Sequence, residues 1–297
     1  MKFDVVMCVK NGKSTLPAVL KRIDAVIPRE RVHLKIMVDD GSVDGSGAIG
    51  ASFGWQVFKN RGKGLSDALN TGLGKVETPI FCLFEQDVVL SPSWFREVFP
   101  LIFQCEDVVA ASGNRFVTAP AIIRQFEIEL YQQHKARKTT ERTDNYCHTF
   151  DNTVVKTAFL REIGGFAYIQ SNSGQDTDLS FKILSRNKRW LTKPDVISTH
   201  VKPNSLRYVL QRELWYATKT REILSKNHLA YRYRSRFLVT RVVKAPLSTL
   251  KLLYKMRNPV IVLYYPTLTL VQLVGYIKGG QYELQAARDS LHSQASR

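Results

Sequence analysis

Acidic residues are scarce in the last third of this 297-residue chain, where residues 201–297 hold 4 Asp/Glu against 17 Lys/Arg, a balance of +13. The first 200 residues hold 22 acids and 26 bases, so they carry only +4 of the total +17. A segment this poor in acids expects an anionic partner: nucleic acid, an anionic membrane surface or phosphates. Cysteine is sparse too. Cys8, Cys82, Cys105 and Cys147 are scattered without metal-site spacing, which reads most simply as a reduced, intracellular protein. Met1-Lys2-Phe3-Asp4 leads straight into a strand-like run, so no signal peptide is predicted there. One glycine is missing where it would matter. Gly12-Lys13-Ser14 has the lettering of a triphosphate loop, but the position five before the Gly-Lys pair is Met7, inside an apolar run. Without that glycine the backbone N–H groups cannot approach the phosphates, which excludes that reading. There is no internal repeat and no low-complexity tract.

What is present is 44% apolar residues and enough chain for a sizeable core, as one α/β domain with an appendage or as two smaller domains. Apolar runs suited to buried strands lie at Phe3–Val9, His33–Val38, Trp55–Phe58, Pro79–Phe84 and Val108–Ser112. Helix-like stretches alternate with them at Ser14–Val26, Val43–Phe53, Gly64–Val76 and Ser91–Phe103. Ser14 and Ser91 are placed to cap two of these, with Pro92 at a first helical position and Gly12 in the turn. This alternation predicts a mostly parallel α/β sheet with helices on both faces, and ligands outside the carboxyl ends of its strands. Residues Gln133–Phe150 are polar and without period, which predicts a mobile loop long enough to carry function. From Thr157 a helix leads to Gly164-Gly165-Phe166, and a loop then feeds another helix from about Asp176.

Polar residues follow the apolar runs. Lys10 and Asn11 come after the first, Asp39-Asp40-Gly41-Ser42 after the second, and Glu85-Gln86-Asp87 after the fourth. Acids leaving a buried strand either begin a solvated loop or hold Mg²⁺ or Mn²⁺, hard cations that bridge to substrate phosphates. Asp39-Asp40-Gly41-Ser42 is either an Asx-type turn or an acid aimed at a base or ribose.

Taken in order, five pieces resemble the family 2 glycosyltransferases, inverting enzymes of the GT-A fold. They are "VVMCVKNGKSTLPAVL", "IMVDDGSVDGS", "NRGKGLSDALNTGL", "FEQDVVLSPSWF" and "IGGFAYIQSNSGQDTDLSFKIL". The resemblance spans about residues 3–220 and implies a Rossmann-like sheet. It implies that the strand end from Cys8 to Asn11 seats the nucleotide base, and that Asp40 hydrogen-bonds that base. Asp87 would ligate a divalent metal on the diphosphate, with Glu85 and Gln86 near ribose and metal. Lys63 would meet a phosphate as a point charge. Asp176 matches the family's catalytic base, which deprotonates the acceptor hydroxyl. The sequence departs from the pattern at Glu85, where the family usually has aspartate, and at Gln175, where it usually has an acid. Gln211-Arg212-Glu213-Leu214-Trp215 is similar to the acceptor-gripping Gln-x-x-Arg-Trp element of related polysaccharide synthases, with the arginine displaced. Gln211, Arg212 and Trp215 are thus acceptor candidates, or an ordinary helix surface. His200 stands where some relatives place a metal- or phosphate-contacting histidine; a packed structural histidine is the alternative.

In the tail, residues 202–257 carry 14 Lys/Arg and 2 acids, and Pro259–Ile277 then runs 19 residues without charge. That length is borderline for a span, Pro266 and Gln272 weaken it, and Tyr264, Tyr265 and Tyr276 suit an interface. The expectation is a catalytic domain over 1–225 and a basic, apolar helical segment over 226–297. That segment would attach the protein to the cytoplasmic face of a membrane, peripherally or monotopically; the alternative is a hydrophobic hairpin packed on the catalytic domain or on a partner subunit. Nucleic acid is not expected, because no binding motif accompanies the charge. The predicted activity is metal-dependent, inverting transfer from a nucleotide-diphospho-sugar to a glycan or lipid-linked acceptor, in envelope or lipid-linked glycan synthesis. The alternatives are a dolichyl- or polyprenyl-phosphate sugar transferase and a non-catalytic sugar-nucleotide-binding module.

Overall fold

The computed structural model describes residues 1–137, 150–169, 174–203, 205–226 and 243–295. It divides into two compact units, one formed by residues 1–118 and 132–202, the other by 119–131 and 203–297.

The first unit opens with β1 (Phe3–Val9), α1 (Leu16–Val26), β2 (Val32–Asp39), α2 (Ser46–Ser52), β3 (Gln56–Lys59), α3 (Leu65–Leu73) and β4 (Ile80–Glu85). β5 (Val88–Val89), α4 (Trp94–Glu97) and β6 (Val108–Val117) follow. After α5 (Ala121–Arg137) the chain continues through β7 (Asn152–Lys156), α6 (Thr157–Glu162), α7 (Gln175–Leu184) and β8 (Arg189–His200). The eight strands form one sheet in the order β3-β2-β1-β4-β7-β6-β8-β5.

β1 to β4 are joined by parallel pairings, and the antiparallel pairings are β4–β7, β6–β7 and β5–β8. β1 shows why the strand runs read as continuous. Phe3, Val5, Met7 and Val9 pack with Leu16, Val19, Leu20 and Ile23 of α1, while Val6 packs with Ala68, Leu69 and Leu73 of α3. A strand covered on both faces needs apolar residues at successive positions, not alternate ones.

The helix starts differ from expectation. α1 begins at Leu16, and Thr15 rather than Ser14 stands at its N-cap, with its hydroxyl donating to the Gln86 carbonyl at 2.9 Å. α4 begins at Trp94 behind Ser93, so Pro92 lies before the helix. Pro17 supplies the early-turn proline of α1. The left-handed residue of the β1 turn is Asn11 (φ 51°), not Gly12. Gly12 is needed for closeness instead, since a Cβ there would meet Gln86 Oε1 at 2.7 Å. Of the predicted loop at Gln133–Phe150, residues 133–137 belong to α5, and 138–149 lie outside the described residues.

The second unit is helical. The start of α5 joins α8 (Leu206–Lys226), α9 (Ala245–Met256) and α10 (Ile261–Ala295). Its core gathers Ile123 and Phe126 of α5, Val209 of α8, Leu252 of α9, and Tyr264 and Leu268 of α10.

Candidate active site

The strand order 3-2-1-4 reverses direction between β1 and β4, and a crevice opens outside strand ends at such a point. A cavity of about 320 Å³ lies there, lined by Cys8 near the end of β1 and Lys10 after it, Asp40 after β2, Gly64 of the turn into α3, and Glu85 at the end of β4 and Asp87 after it. Gln86 and Lys202 also line it. Topology alone explains why the polar residues following separate apolar runs meet.

On one wall, Asp40 Oδ1 accepts from Asn60 Nδ2 at 2.7 Å and from the Gly64 N–H at 3.0 Å, and Oδ2 faces Lys10 Nζ at 3.0 Å. Burial works to raise its pKa, but these bonds from Asn60, Lys10 and Gly64 hold the carboxyl below its usual value. Burial pushes the neighbouring Cys8 thiol up, aided by the charges of Asp40 and Glu85, so it stays a neutral packing group. Gln86 ties the tips of β1 and β4 together. The Lys10 N–H donates to its Oε1 at 2.9 Å, and its Nε2 donates to the Lys10 carbonyl at 3.1 Å. Asn11 accepts from the Val43 N–H at 2.9 Å and donates its own N–H to Ser42 Oγ at 3.0 Å, bonding the β1 turn to the loop after β2. Lys63 is exposed, and its backbone N–H donates to Asp67 Oδ2 at 2.9 Å.

The other wall gathers charges. Val88 of β5 pairs with His200 at the end of β8, which brings Asp87 beside that histidine. His200 Nε2 lies 3.1 Å from Asp87 Oδ1 and 3.7 Å from Glu85 Oε2. The geometry gives this buried nitrogen no well-formed hydrogen bond among the described residues. Burial opposes ionisation of Asp87, but His200 and the Lys202 ammonium against its Oδ2 hold its pKa down at about 2. Burial keeps the His200 pKa below its usual value, against the pull of Asp87 and Glu85.

Three participants here lay outside the sequence expectations: Arg115, Asp151 and Lys202. The Arg115 guanidinium pairs with buried Asp151 and donates from Nη1 to His200 Nδ1 at 2.9 Å. Ligand atoms of Glu85, Asp151 and His200 all lie within 4.8 Å of one another. Carboxylates around an imidazole nitrogen fit a Mg²⁺ or Mn²⁺ site in donor type. Because a guanidinium can only donate, ligation through Nε2 requires Arg115 to release Nδ1 and turn wholly to Asp151.

Asp176 occupies the first turn of α7, with Oδ1 accepting the Thr177 N–H at 2.7 Å. Its pKa is raised to about 6, first by burial and further by the Glu85 charge, against the pull of Thr177 and Arg115. Gln175, one residue earlier, is buried and donates to Ser66 Oγ at 3.0 Å, pinning the start of α7 to α3. Gln211, Arg212 and Trp215 lie on α8, in the second unit. There Arg212 is held by Glu213 at 3.0 Å and Glu127 at 3.6 Å, and Lys219 Nζ sits 3.8 Å above the exposed Trp215 ring.

The glycosyl transferase family 2 model matches residues 4–164, more than half of the chain. The chain belongs to glycosyl transferase family 2. It is 26% identical over 225 residues to the pre-mycofactocin glycosyltransferase of two Mycobacterium tuberculosis strains. That match covers 71% of this chain but only 45% of the relatives, so the chain spans about half of their length. Among solved structures, a mannosyltransferase from Pyrobaculum calidifontis in complex with GDP-Man and Mn²⁺ superposes with a TM-score of 0.68 at 16% identity. That superposition covers 96% of this chain and 88% of the mannosyltransferase. Glucosyl-3-phosphoglycerate synthase from Mycobacterium tuberculosis, with Mn²⁺, UDP-Glc and phosphoglyceric acid, superposes at 0.55 with 15% identity, covering 76% and 79%. The fold is therefore the GT-A fold that the five motifs implied.

Proposed function

We infer that this family 2 glycosyltransferase moves a sugar from a nucleotide-diphospho-sugar to an acceptor hydroxyl with inversion, in a metal-dependent reaction at a membrane. The observation that carries this is the meeting of Asp40, Glu85, Asp87 and His200 at the sheet's switch point, with a half-buried Asp176 near enough to feel the Glu85 charge. The donor class draws support from the relatives solved with GDP-Man and with UDP-Glc.

In this reading Asp40, backed by Asn60, receives an N–H of the nucleotide base at the wall formed by Cys8, with Asn11 and Gln86 holding the loops that shape it. Glu85, Asp87 and His200, with Asp151 beside them, would hold Mg²⁺ or Mn²⁺, which supplies charge stabilisation for the departing diphosphate. Lys63 and Lys202 add cationic charge for the same phosphates. Asp176 takes the proton from the acceptor hydroxyl. A pKa of about 6 suits that task, because the carboxylate is free above it and basic enough to accept. Gln211, Arg212 and Trp215 remain the acceptor candidates. The catalytic machinery falls within 1–225, and the tail from 226 onward serves attachment, with glycan or lipid-linked acceptors presented there.

One observation favours the second reading, transfer to a polyprenyl phosphate: the apolar, basic helices of the second unit suit a lipid-borne acceptor. The test is a panel of nucleotide-sugars with and without Mn²⁺, read by thermal stabilisation and then by transfer to hydroxyl and phosphate acceptors. Failure of every nucleotide-sugar to stabilise the protein would overturn the donor assignment.

A further inference from the structure

The face of the second unit that meets lipid can be read from α9 and α10. From residue 243 to 280 the chain has no Asp or Glu and five bases, Lys244, Lys251, Lys255, Arg257 and Lys278. α9 buries Leu252 and Met256 and turns Leu247 (72% exposed), Leu250 (63%) and Tyr254 (84%) outward, one helical stripe at i, i+3 and i+7. Lys251 is exposed on the same stripe, one residue past Leu250. α10 repeats the division. Ile261, Tyr264, Leu268 and Tyr276 are buried, while Leu263 (76%), Leu270 (60%) and Ile277 (52%) recur every seven residues on the outer side. Water-exposed leucines in such a row need a cover, and the accompanying charge is all positive.

By length and composition, Ile261–Gly280 is apolar enough to cross a membrane, with a mean hydropathy of 1.2. Its inner side argues against crossing. Gly275 touches α8 so closely that a Cβ there would meet the Leu214 carbonyl at 2.5 Å. Three residues earlier, Gln272 Nε2 donates to Glu213 Oε2 at 2.8 Å, and Glu213 in turn holds Arg212, which also pairs with Glu127. α8 carries seven charged residues in its 21. If α10 spanned, it would drag this ion cluster into hydrocarbon, a placement that is costly for each charge.

We propose that α9 and α10 form a non-spanning platform that lies along an anionic bilayer, with the outer stripe of Leu247, Leu250, Tyr254, Leu263, Leu270 and Ile277 at the headgroup–acyl boundary and Lys244 and Lys251 against lipid phosphates. This rests on the membrane association inferred above and specifies its face and its orientation. The wet face of α10 becomes the lipid face, and its inner face keeps the contacts it has.

The test uses the full chain in co-sedimentation with vesicles of phosphatidylcholine alone and of phosphatidylcholine with about one third phosphatidylglycerol. The full chain should favour the anionic vesicles. Leu250→Glu and Leu263→Glu, at exposed sites that leave the fold's melting unchanged, should each weaken that binding by about 10-fold or more. Val43→Glu, on the most exposed apolar residue of the first unit, should bind as the wild type does. Tryptophans introduced one at a time at Leu263, Leu270 and Ile277, read as the quenching added to that of the four native tryptophans, should be quenched by brominated lipids at one shallow depth. Those positions span about 21 Å of helix, so a spanning helix would show three different depths. Failure of the full chain to bind either vesicle would overturn membrane association itself. Binding that survives both glutamate substitutions, or depths that change along α10, would overturn the platform while leaving association standing.

Discussion

The two units of this chain solve burial in opposite ways. The first wraps helices around both faces of a sheet and leaves five large apolar side chains exposed among its described residues; the second leaves fourteen. In the first, polarity is concentrated where the strands end, and acids there stand against bases: Asp40 with Lys10 and Asp87 with Lys202 and the His200 ring in the crevice, and Asp151 with Arg115 next to that histidine. In the second, the core is a seam of aliphatic and aromatic residues between helices, and one charged cluster, Arg212 with Glu213 and Glu127, is largely buried as well. A sheet buried on both sides makes a rigid frame on which acids can be held against their own repulsion. A helical layer with one covered side is half a structure, and its other side is available for a surface. In the function proposed above, the nucleotide, metal and base residues belong to the first unit, while the second carries the attachment face and the acceptor candidates Gln211, Arg212 and Trp215.

That division can be broken most severely at Asp87. Asp87→Ala should abolish divalent-dependent donor binding and lower transfer by about 10³-fold or more, the scale of losing metal-borne charge stabilisation. Vesicle binding by the second unit should be untouched. Full activity in the variant, or equal wild-type turnover in chelator, would remove the metal from the proposed mechanism.

Next comes Asp176→Asn, which should keep the melting temperature and donor affinity close to wild type while cutting transfer by ~10²–10⁴-fold. The sign of the pH effect follows from its raised pKa. Protonation below about 6 removes the base, so the wild-type rate should fall as pH drops through 6, and the variant's residual rate should lack that limb. Unchanged turnover in Asp176→Asn would leave the residue a first-turn helix acid and nothing more.

The second unit should be breakable by itself. Leu268→Ala removes a buried side chain from its seam and should cost about 2–5 kcal/mol of that unit's stability. Calorimetry should then resolve an early transition that nucleotide does not shift, while the donor-stabilised transition stays where it was. A single, uniformly lowered transition would mean that the units unfold as one.

The smallest expected effect tests how the base is held. Ser66→Ala leaves the buried Gln175 amide without its 3.0 Å partner and the Ile169 N–H without its 3.2 Å partner. It should cost about 1–3 kcal/mol in stability and lower kcat more than it raises KM, because α7 would no longer be pinned beside the crevice. An unchanged kcat would make the Gln175–Ser66 contact purely structural.

The amino-acid sequence by itself determined the first four strands nearly to the residue: β1 and β4, buried on both faces, are apolar at consecutive positions, and that local pattern persists in the buried half of β2 and more weakly in the exposed β3. The five motifs in order determined the family, and the loss of acids after residue 200 marked out a different surface. The cap at Thr15 was not legible, since Ser14 and Thr15 offer the same hydroxyl and only the turn bonded to Gln86 selects between them. Nor was β5, a two-residue strand too short for any period, although its pairing with β8 is what sets Asp87 beside His200. Arg115 and Asp151 carried no motif and stand 36 residues apart in sequence, yet they complete the charged wall. The tertiary structure also decided which side of α10 faces outward, because an apolar helix looks the same all round until its neighbours cover one side. Local chemistry names the groups; only long-range pairing, which no window of sequence contains, decides which of them stand within a few ångströms of each other.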